Sequence, residues 1–291
     1  IYLSQLANSD LTYEKKKEFN VGVDLGFLNN RLNLTSDFYW RNNYDLMGYV
    51  NTGGAGGEIR KFANVASMRS HGLEATLSSQ NIRNKHFDWS TDLTFAYTKT
   101  TIKDVLSQAN VINLVYNSGN NIRKGYPHRS IFSIPFVGLN DEGIPQVINE
   151  KGEVTTTDIN FQEYQSLDFL KYEGPTEPTM NGGLNNTLRY KNWRLNIFLT
   201  YSFGNKIRLD PVFSSSYSDM SAMPKEFKNR WVMPGDEKIT SIPAIASVRQ
   251  YYNDTQLSYA YNAYNYSTAR IADGGFIRLK DVSLTYDVPR S

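Results

Sequence analysis

The stretch FNVGVDLGFLNNRLNLTSDFYW, Phe19–Trp40, decides the fold class. Phe19, Val21, Val23, Leu25 and Phe27 are apolar, and Asn20, Gly22, Asp24 and Gly26 between them are polar or small. Past Asn29-Asn30 the alternation resumes. Leu32, Leu34, Phe38 and Trp40 alternate with Arg31, Asn33, Asp37 and Tyr39, with Ser36 on the apolar side. Successive side chains of a strand point to opposite faces, so period two along both arms predicts a long β-hairpin with one apolar and one polar face. Asn tolerates the left-handed backbone that tight hairpin turns need, which makes Asn29-Asn30 the predicted two-residue turn.

The same period recurs along the chain. His71, Leu73, Ala75 and Leu77 form one set; Phe87, Trp89, Leu93, Phe95 and Tyr97 another. Leu184, Asn186, Leu188 and Tyr190 lead into a second tight turn, Lys191-Asn192, and out again through Trp193, Leu195, Ile197, Leu199, Tyr201 and Phe203, where Phe198 breaks the pattern. Val282, Leu284, Tyr286 and Val288 close the series. Between these runs, residues 47–66, 139–179 and 210–274 read as long irregular connections, the first carrying Gly53-Gly54-Ala55-Gly56-Gly57. No amphipathic helix and no internal repeat is legible. The runs Glu18–Phe27, Leu32–Asp45, Phe87–Lys99 and Trp193–Lys206 all reach the ~9–11 residues of a tilted membrane strand. Short turns at one end and long loops at the other is how outer-membrane barrels are built.

Composition bears on the same choice. Aromatic residues make up 13 % of the chain, yet its mean hydropathy is −0.50. A large dry core calls for more aliphatic side chains. A barrel does not, because its apolar face meets lipid and its polar face lines a watery lumen. Phe27, Trp40, Tyr44, Phe87, Trp89, Tyr190, Trp193 and Tyr201 then fall near strand ends, where interfacial aromatics are favourable. No window approaches ~18 consecutive apolar residues, the length of a transmembrane helix. A net charge of +2 gives no nucleic-acid footprint. The absence of cysteine removes disulfides, thiolate metal sites and cysteine nucleophiles. The expected fold is all-β, an antiparallel transmembrane β-barrel, with residues 1–291 forming one partial barrel domain of a longer protein. A soluble β-sandwich also alternates, apolar face inward, so periodicity alone leaves a soluble all-β carbohydrate-binding module open.

Several segments, taken in order, resemble the C-terminal barrel region of the SusC/RagA family of TonB-dependent outer-membrane transporters of Bacteroidota. Leu11-Thr12-Tyr13-Glu14-Lys15 running into Glu18–Asp24 is similar to that family's L-x-W-E-K…N-x-G-x-D start, with Tyr13 in the place of Trp. Phe38-Tyr39-Trp40-Arg41 with Tyr44-Asp45-Leu46-Met47, Asn64–Met68 with His71-Gly72-Leu73-Glu74, and Arg230-Trp231-Val232-Met233-Pro234-Gly235 resemble further signatures. Asp273–Tyr286 resembles DGSFLRLKNVTLGY, with Gly275 for Ser and Asp281 for Asn. The resemblance implies a share of a 22-stranded barrel in the outer membrane, surrounded by outer-membrane lipid. It further implies an importer of oligosaccharide, or alternatively oligopeptide, that works with a SusD-like surface lipoprotein as lid and with TonB through a region outside this chain.

Enzymatic chemistry finds little support. His71, His86 and His128 lack metal-ligand spacing, Ser202 and Ser283 lack a nucleophile-elbow context, and Asp88/Asp92 and Glu18/Asp24 read as solvated lumen charge. Asn140-Asp141-Glu142-Gly143 and Asn149-Glu150-Lys151-Gly152-Glu153 read as acidic turns without calcium-loop spacing. No cofactor is expected. The binding candidates are the tyrosines of the run 251–266: Tyr251, Tyr252, Tyr259, Tyr261, Tyr264 and Tyr266. Tyr offers a broad contact face at low entropic cost, plus a hydroxyl; interleaved Asn supplies hydrogen bonds to sugar hydroxyls or peptide amides. An interfacial girdle, or packing of the loop against a partner subunit, is the competing reading.

Overall fold

A computed structural model describes residues 9–51, 54, 60–106, 109–116, 122–212, 224–246, 250, 253–254 and 256–289. The chain begins with four long strands, β1 (Lys15–Phe27), β2 (Leu32–Asn51), β3 (Arg60–Arg83) and β4 (Phe87–Val105). A long connection follows, containing helix α1 (Val111–Tyr116) and the short strands β5 (Ser130–Ser133), β6 (Phe136–Leu139), β7 (Pro145–Ile148), β8 (Val154–Thr155) and β9 (Lys171–Pro175). Strands β10 (Met180–Tyr190) and β11 (Trp193–Phe203) come next. A second long connection carries β12 (Lys206–Arg208), helix α2 (Leu257–Asn265) and β13 (Ile271–Asp273) before β14 (Phe276–Tyr286).

The long strands make one antiparallel meander, ordered β1-β2-β3-β4-β10-β11-β14. The sheet does not close, so β1 and β14 are its two edges. Its register turns the sequence alternation into continuous bands. Leu25, Leu34, Leu77, Leu93, Leu184, Leus at 199 and 279 stand opposite one another in turn, one leucine from each of the seven strands. One residue along, on the other face, the corresponding row reads Asp24, Thr35, Thr76, Thr94, Gly183, Thr200 and Arg278. A one-residue slip in any strand would exchange the two rows, so the hydrophobic pattern and the register specify each other. On the polar face Thr35, Asp37, Glu74, Thr76, Thr94 and Asn181 border a recess of about 240 Å³.

Among the described residues, no other part of the chain covers the apolar face. Phe19 is 63 % exposed, Ile277 69 % and Leu284 64 %. Where this face turns polar, its groups satisfy one another. Trp89 Nε1 and Thr91 Oγ1 both donate to Asn186 Oδ1, at 3.0 and 2.8 Å, and Asn81 Nδ2 donates to Thr91 Oγ1 at 2.7 Å. Gly182 lies beneath the Tyr201 ring, whose hydroxyl donates to Thr94 O at 2.9 Å. A Cβ at Gly182 would run into Thr94 O and come within 2.7 Å of Tyr201 Cζ, so the ring and the neighbouring backbone fill the space that a side chain there would need.

All the short turns lie at one end. Lys191-Asn192 is the expected two-residue turn, with Lys191 left-handed (φ 52°). The first turn is wider than the sequence suggests. Phe27 still pairs with Leu32, so residues 28–31 form the loop, and Leu28, Asn29 and Asn30 are all left-handed. A third turn, Asn84-Lys85-His86, was not anticipated; Asn84 Oδ1 accepts from His86 N and Phe87 N. At the other end β2, β3 and β4 run to 20, 24 and 19 residues, well past the ~9–11 of a membrane crossing. The described residues of the two longest connections there are not irregular, as the sequence reading has them. They form a compact body of short strands and helices, and its local contacts explain the difference. Asn140 and Asn149 each accept two backbone N–H bonds through Oδ1, closing the β6–β7 and β7–β8 turns.

A candidate ligand groove in the loop body

The two long connections pack together through apolar side chains. α1 contributes Val111, Leu114 and Val115; β5 and the residue after it contribute Phe132 and Ile134; Val147, Ile159, Leu170 and Ala263 complete the main cluster. Phe132 is fully buried, with the Tyr126 and Tyr172 rings at 5.0 and 5.6 Å. Among the described residues, every buried apolar side chain except Val65 and Ile102, near the long-connection ends of β3 and β4, belongs to this body. The dry core of the chain therefore lies beyond the sheet.

Helix α2 divides the tyrosine run by its period. Leu257, Ala260, Tyr261 and Tyr264 follow the i, i+3, i+4, i+7 spacing of one helix face, and all four are buried. Tyr261 Oη donates to Ala244 O at 2.8 Å. Tyr264 packs edge-on against Phe136, with centroids 5.4 Å apart, and lies beside Arg270. These two rings hold the body together and do not face outward. Tyr259 and Tyr266 emerge on the other side and line a groove of about 660 Å³, with Ile112, Asn160, Phe161 and Asn262 among the other walls. Tyr251 and Tyr252 lie outside the described residues.

The groove has an aromatic corner. Phe161 and Tyr259 are tilted by 34° at 6.1 Å, while Tyr266 stands at 82° to Phe161 at 6.5 Å. The strip 158–162 is held from behind. Asn160 N donates to Glu150 Oε2, Gln162 N to Asn160 Oδ1, and Asn110 Nδ2 to Gln162 Oε1. Next along, Glu163 Oε1 accepts from the backbone N–H groups of Ser166, Gln165 and Tyr164, which holds its carboxyl below the usual range. Asp158 at the rim is paired with Lys151 at 3.0 Å.

Tyr266 is braced by a half-buried cation. The Arg208 guanidinium lies 5.9 Å from its ring centroid and donates through Nη2 to Phe132 O at 2.7 Å and to Ser133 Oγ at 3.3 Å. Burial pulls this guanidinium down to about 10, which leaves it charged at neutral pH. Burial also pushes the Tyr266 phenol up, so the hydroxyl stays protonated and can donate.

Flat aromatic faces beside amides and hydroxyls suit an uncharged or weakly polar ligand held by ring contact and hydrogen bonds. The described residues contain no group of three or more His, Cys, Asp or Glu side chains that could hold a metal ion. Sequence reasoning missed Phe161 and the Asn160–Gln162 strip, because the pairing with α2 spans about a hundred residues of chain. It also missed α2, although Leu257, Ala260, Tyr261 and Tyr264 carried its spacing in plain view.

Comparison with known proteins fits this architecture. Residues 2–291 match the family described as TonB dependent receptor-like, beta-barrel. The chain is 24 % identical to TonB-dependent receptor P3 of Formosa agariphila over its full length, covering 29 % of that protein. It is 25 % identical to TonB-dependent receptor SusC of Bacteroides thetaiotaomicron over 74 % of this chain and 22 % of that one. The solved structure of the RagAB peptide transporter superposes with a TM-score of 0.73 at 23 % identity, over 99 % of this chain and 30 % of the other. The chain thus spans less than a third of the length of these relatives. An open sheet is what such a portion of a barrel would present, and the chain belongs to the TonB-dependent receptor family as part of its β-barrel.

Proposed function

We propose that this chain forms part of the wall and the outward-facing loops of a SusC-like TonB-dependent importer in the outer membrane. It takes up oligosaccharides beneath a SusD-like surface lipoprotein, with TonB acting through a region of the protein outside this chain. One observation carries the membrane reading. The seven strands present a leucine band on one face that no other described residue covers and a hydroxyl- and carboxylate-bearing band on the other, while among the described residues all the buried apolar side chains but Val65 and Ile102 belong to the loop body. Lipid is the environment that stabilises such a wall. An open edge in hydrocarbon is not viable, so β1 and β14 pair with further strands of the barrel. The short turns then face the periplasm and the loop body faces outward, which puts the groove where an incoming nutrient first meets the protein.

The aromatic corner and its amides support oligosaccharide as the cargo class. Ring faces contact the apolar faces of sugars, and Asn and Gln side chains bond their hydroxyls. The reading involves no covalent chemistry on the cargo. It is tested by extracting the full-length protein from native outer membranes in mild detergent and identifying what co-purifies by mass spectrometry. A stoichiometric lipoprotein together with bound glycan is expected. Bound oligopeptide would replace the cargo class and keep the importer. Recovery from the aqueous fraction without detergent would overturn the membrane reading.

A further inference from the structure

The register sorts charge by sign between the two faces of the sheet. Glu18, Asp24, Asp37, Glu74, Asp88, Asp92 and Asp281 all fall on the polar face, in step with the threonine row. Asp45 and Asp104, at the irregular loop ends of β2 and β4, are taken by Lys15 and Lys124. The apolar face carries cations instead, and they lie together. Phe19, Trp40, His71 and Lys99 stand opposite one another across β1–β4. Two residues toward the loops, the row reads Lys17, Asn42, Arg69 and Thr101. The apolar-face positions of β10 and β11 carry no charge.

Lys17, Arg69 and Lys99 form no ion pair among the described residues. Lys17 Nζ lies 5.8 Å from the Tyr44 ring centroid. Arg69 Nε donates to Asn42 Oδ1 at 3.0 Å, which holds the guanidinium over β2, on the side of Lys17. Lys17 and Arg69 stand two strands apart, about 10 Å. Lys99 is the diagonal neighbour of Arg69, about 7–8 Å away. Side chains of this length close such gaps onto one phosphate group, and a guanidinium suits phosphate oxygens in pairs.

The level of the patch decides what it meets. A strand that rises about 3.3 Å per residue and tilts by ~40° gains roughly 2.5 Å of depth per residue. Lys17 is ten residues from the turn end of β1 at Phe27, and Lys99 is twelve from that of β4 at Phe87. Both therefore stand roughly 25–30 Å up, at the top of an apolar band about 25 Å tall. The Phe19–Trp40 ring pair, at 5.9 Å, sits just below. At this end the described loop body lies over the opposite, polar face, where Ser70 and Ile102 are buried and Ile102 N donates to Tyr126 O. A further strand beside β1 pairs in the plane of the sheet and leaves the apolar face as it is. Whatever meets the leucine band thus also meets these cations, at the height of its headgroups.

We propose that Lys17, Arg69 and Lys99 form a binding site for the phosphate of an outer-leaflet lipid whose acyl chains run down the leucine band. The inference rests on the membrane reading above and adds to it a specific lipid contact on the outside of the wall.

The full-length protein, purified in mild detergent, is titrated with diphosphoryl lipid A and with the same lipid A stripped of phosphate. Native mass spectrometry counts the lipid retained. The phosphorylated lipid is expected to bind at least about tenfold more tightly, as three cations at a membrane surface imply. Combining Lys17→Gln, Arg69→Gln and Lys99→Gln should abolish that preference, with heat-modifiable gel mobility reporting that the barrel has folded. Arg278→Gln, which removes a cation from the polar face, should keep it. Equal affinity of the unmutated protein for the two lipids would overturn the site whatever the variants do. A preference that survives the triple substitution would overturn it too. In native outer membranes, a photo-crosslinking residue at Asn42 is expected to form a lipid adduct; an adduct to a protein would make the patch a protein interface and refute the proposal. Each of these failures leaves the importer standing, whereas recovery of the protein from the aqueous fraction without detergent would remove both.

Discussion

The wall and the loop body use apolar residues in opposite ways. In the wall, leucines from seven strands line up on a face that none of the other described residues covers. In the loop body, α1, β5, β7 and α2 turn their apolar side chains toward one another and exclude water. Both patterns read as hydrophobic on average, and only the environment separates them. The wall depends on lipid from outside the chain, whereas the body makes its own apolar interior. Stability should therefore respond to mutation by different rules in the two regions.

The largest effect is expected in the body. Phe132→Ala removes a fully buried ring between Tyr126 and Tyr172 and should cost about 3–5 kcal/mol. Limited proteolysis should show cleavage within residues 106–179 while the heat-modifiable mobility of the barrel persists. Loss of both together would mean that the two regions fold as one unit. In the wall, Leu199→Arg places a charge in the leucine row and should cost ~2–4 kcal/mol near the bilayer midplane, with outer-membrane levels falling to match. Thr200→Arg, one residue away on the polar face, should assemble normally. Equal effects at the two positions would break the distinction on which the comparison rests.

Smaller effects sharpen it. Asn149 is completely buried, accepts from Lys151 N and Glu153 N, and donates to Asp158 O. Asn149→Ala should cost about 1–3 kcal/mol, because it removes a fully buried side chain that makes three hydrogen bonds to the turn; amide exchange across β7 and β8 would record it. Tyr259→Ala should weaken cargo binding several-fold, consistent with ~0.5–1.5 kcal/mol for a ring contact. Tyr261→Phe should leave cargo affinity unchanged, because its ring is buried and its hydroxyl bonds Ala244 O within the body. Titration of bound glycan against each variant distinguishes these. The last effect is pH-dependent. The Glu163 carboxyl is lowered, so the bonds it accepts stabilise the turn fully above the ordinary Glu value of about 4.3, and are lost as pH falls through its lower folded value. Protection of the Tyr164, Gln165 and Ser166 amides should fall on acidification, and Glu163→Gln should remove that dependence.

How much of this was legible in the sequence divides along the same line. Period two depends only on neighbours in one strand, so Phe19–Phe27 and Trp193–Phe203 declare their faces without any knowledge of partners. The asymmetry between Lys191-Asn192 and the long connections was equally visible. The body was not visible, because its order comes from contacts far apart in sequence: Phe136 with Tyr264, Phe161 with Tyr259, Arg208 with Phe132 O. The tyrosine run shows the limit most sharply. Read as composition, it offered six equivalent contacts. The helical period of α2 sends Tyr261 and Tyr264 inward and leaves Tyr259 and Tyr266 on the groove.

The most direct test places a nitroxide label in turn at the adjacent residues Leu199 and Thr200 of the full-length protein in membranes, and compares its exposure to oxygen with that to a water-soluble nickel complex. A lipid-facing wall predicts that the label at 199 responds to oxygen, which partitions into the bilayer, and that the label at 200 responds to the nickel complex. A label at 199 shielded from both agents would place that leucine row in a dry protein core and contradict the barrel account.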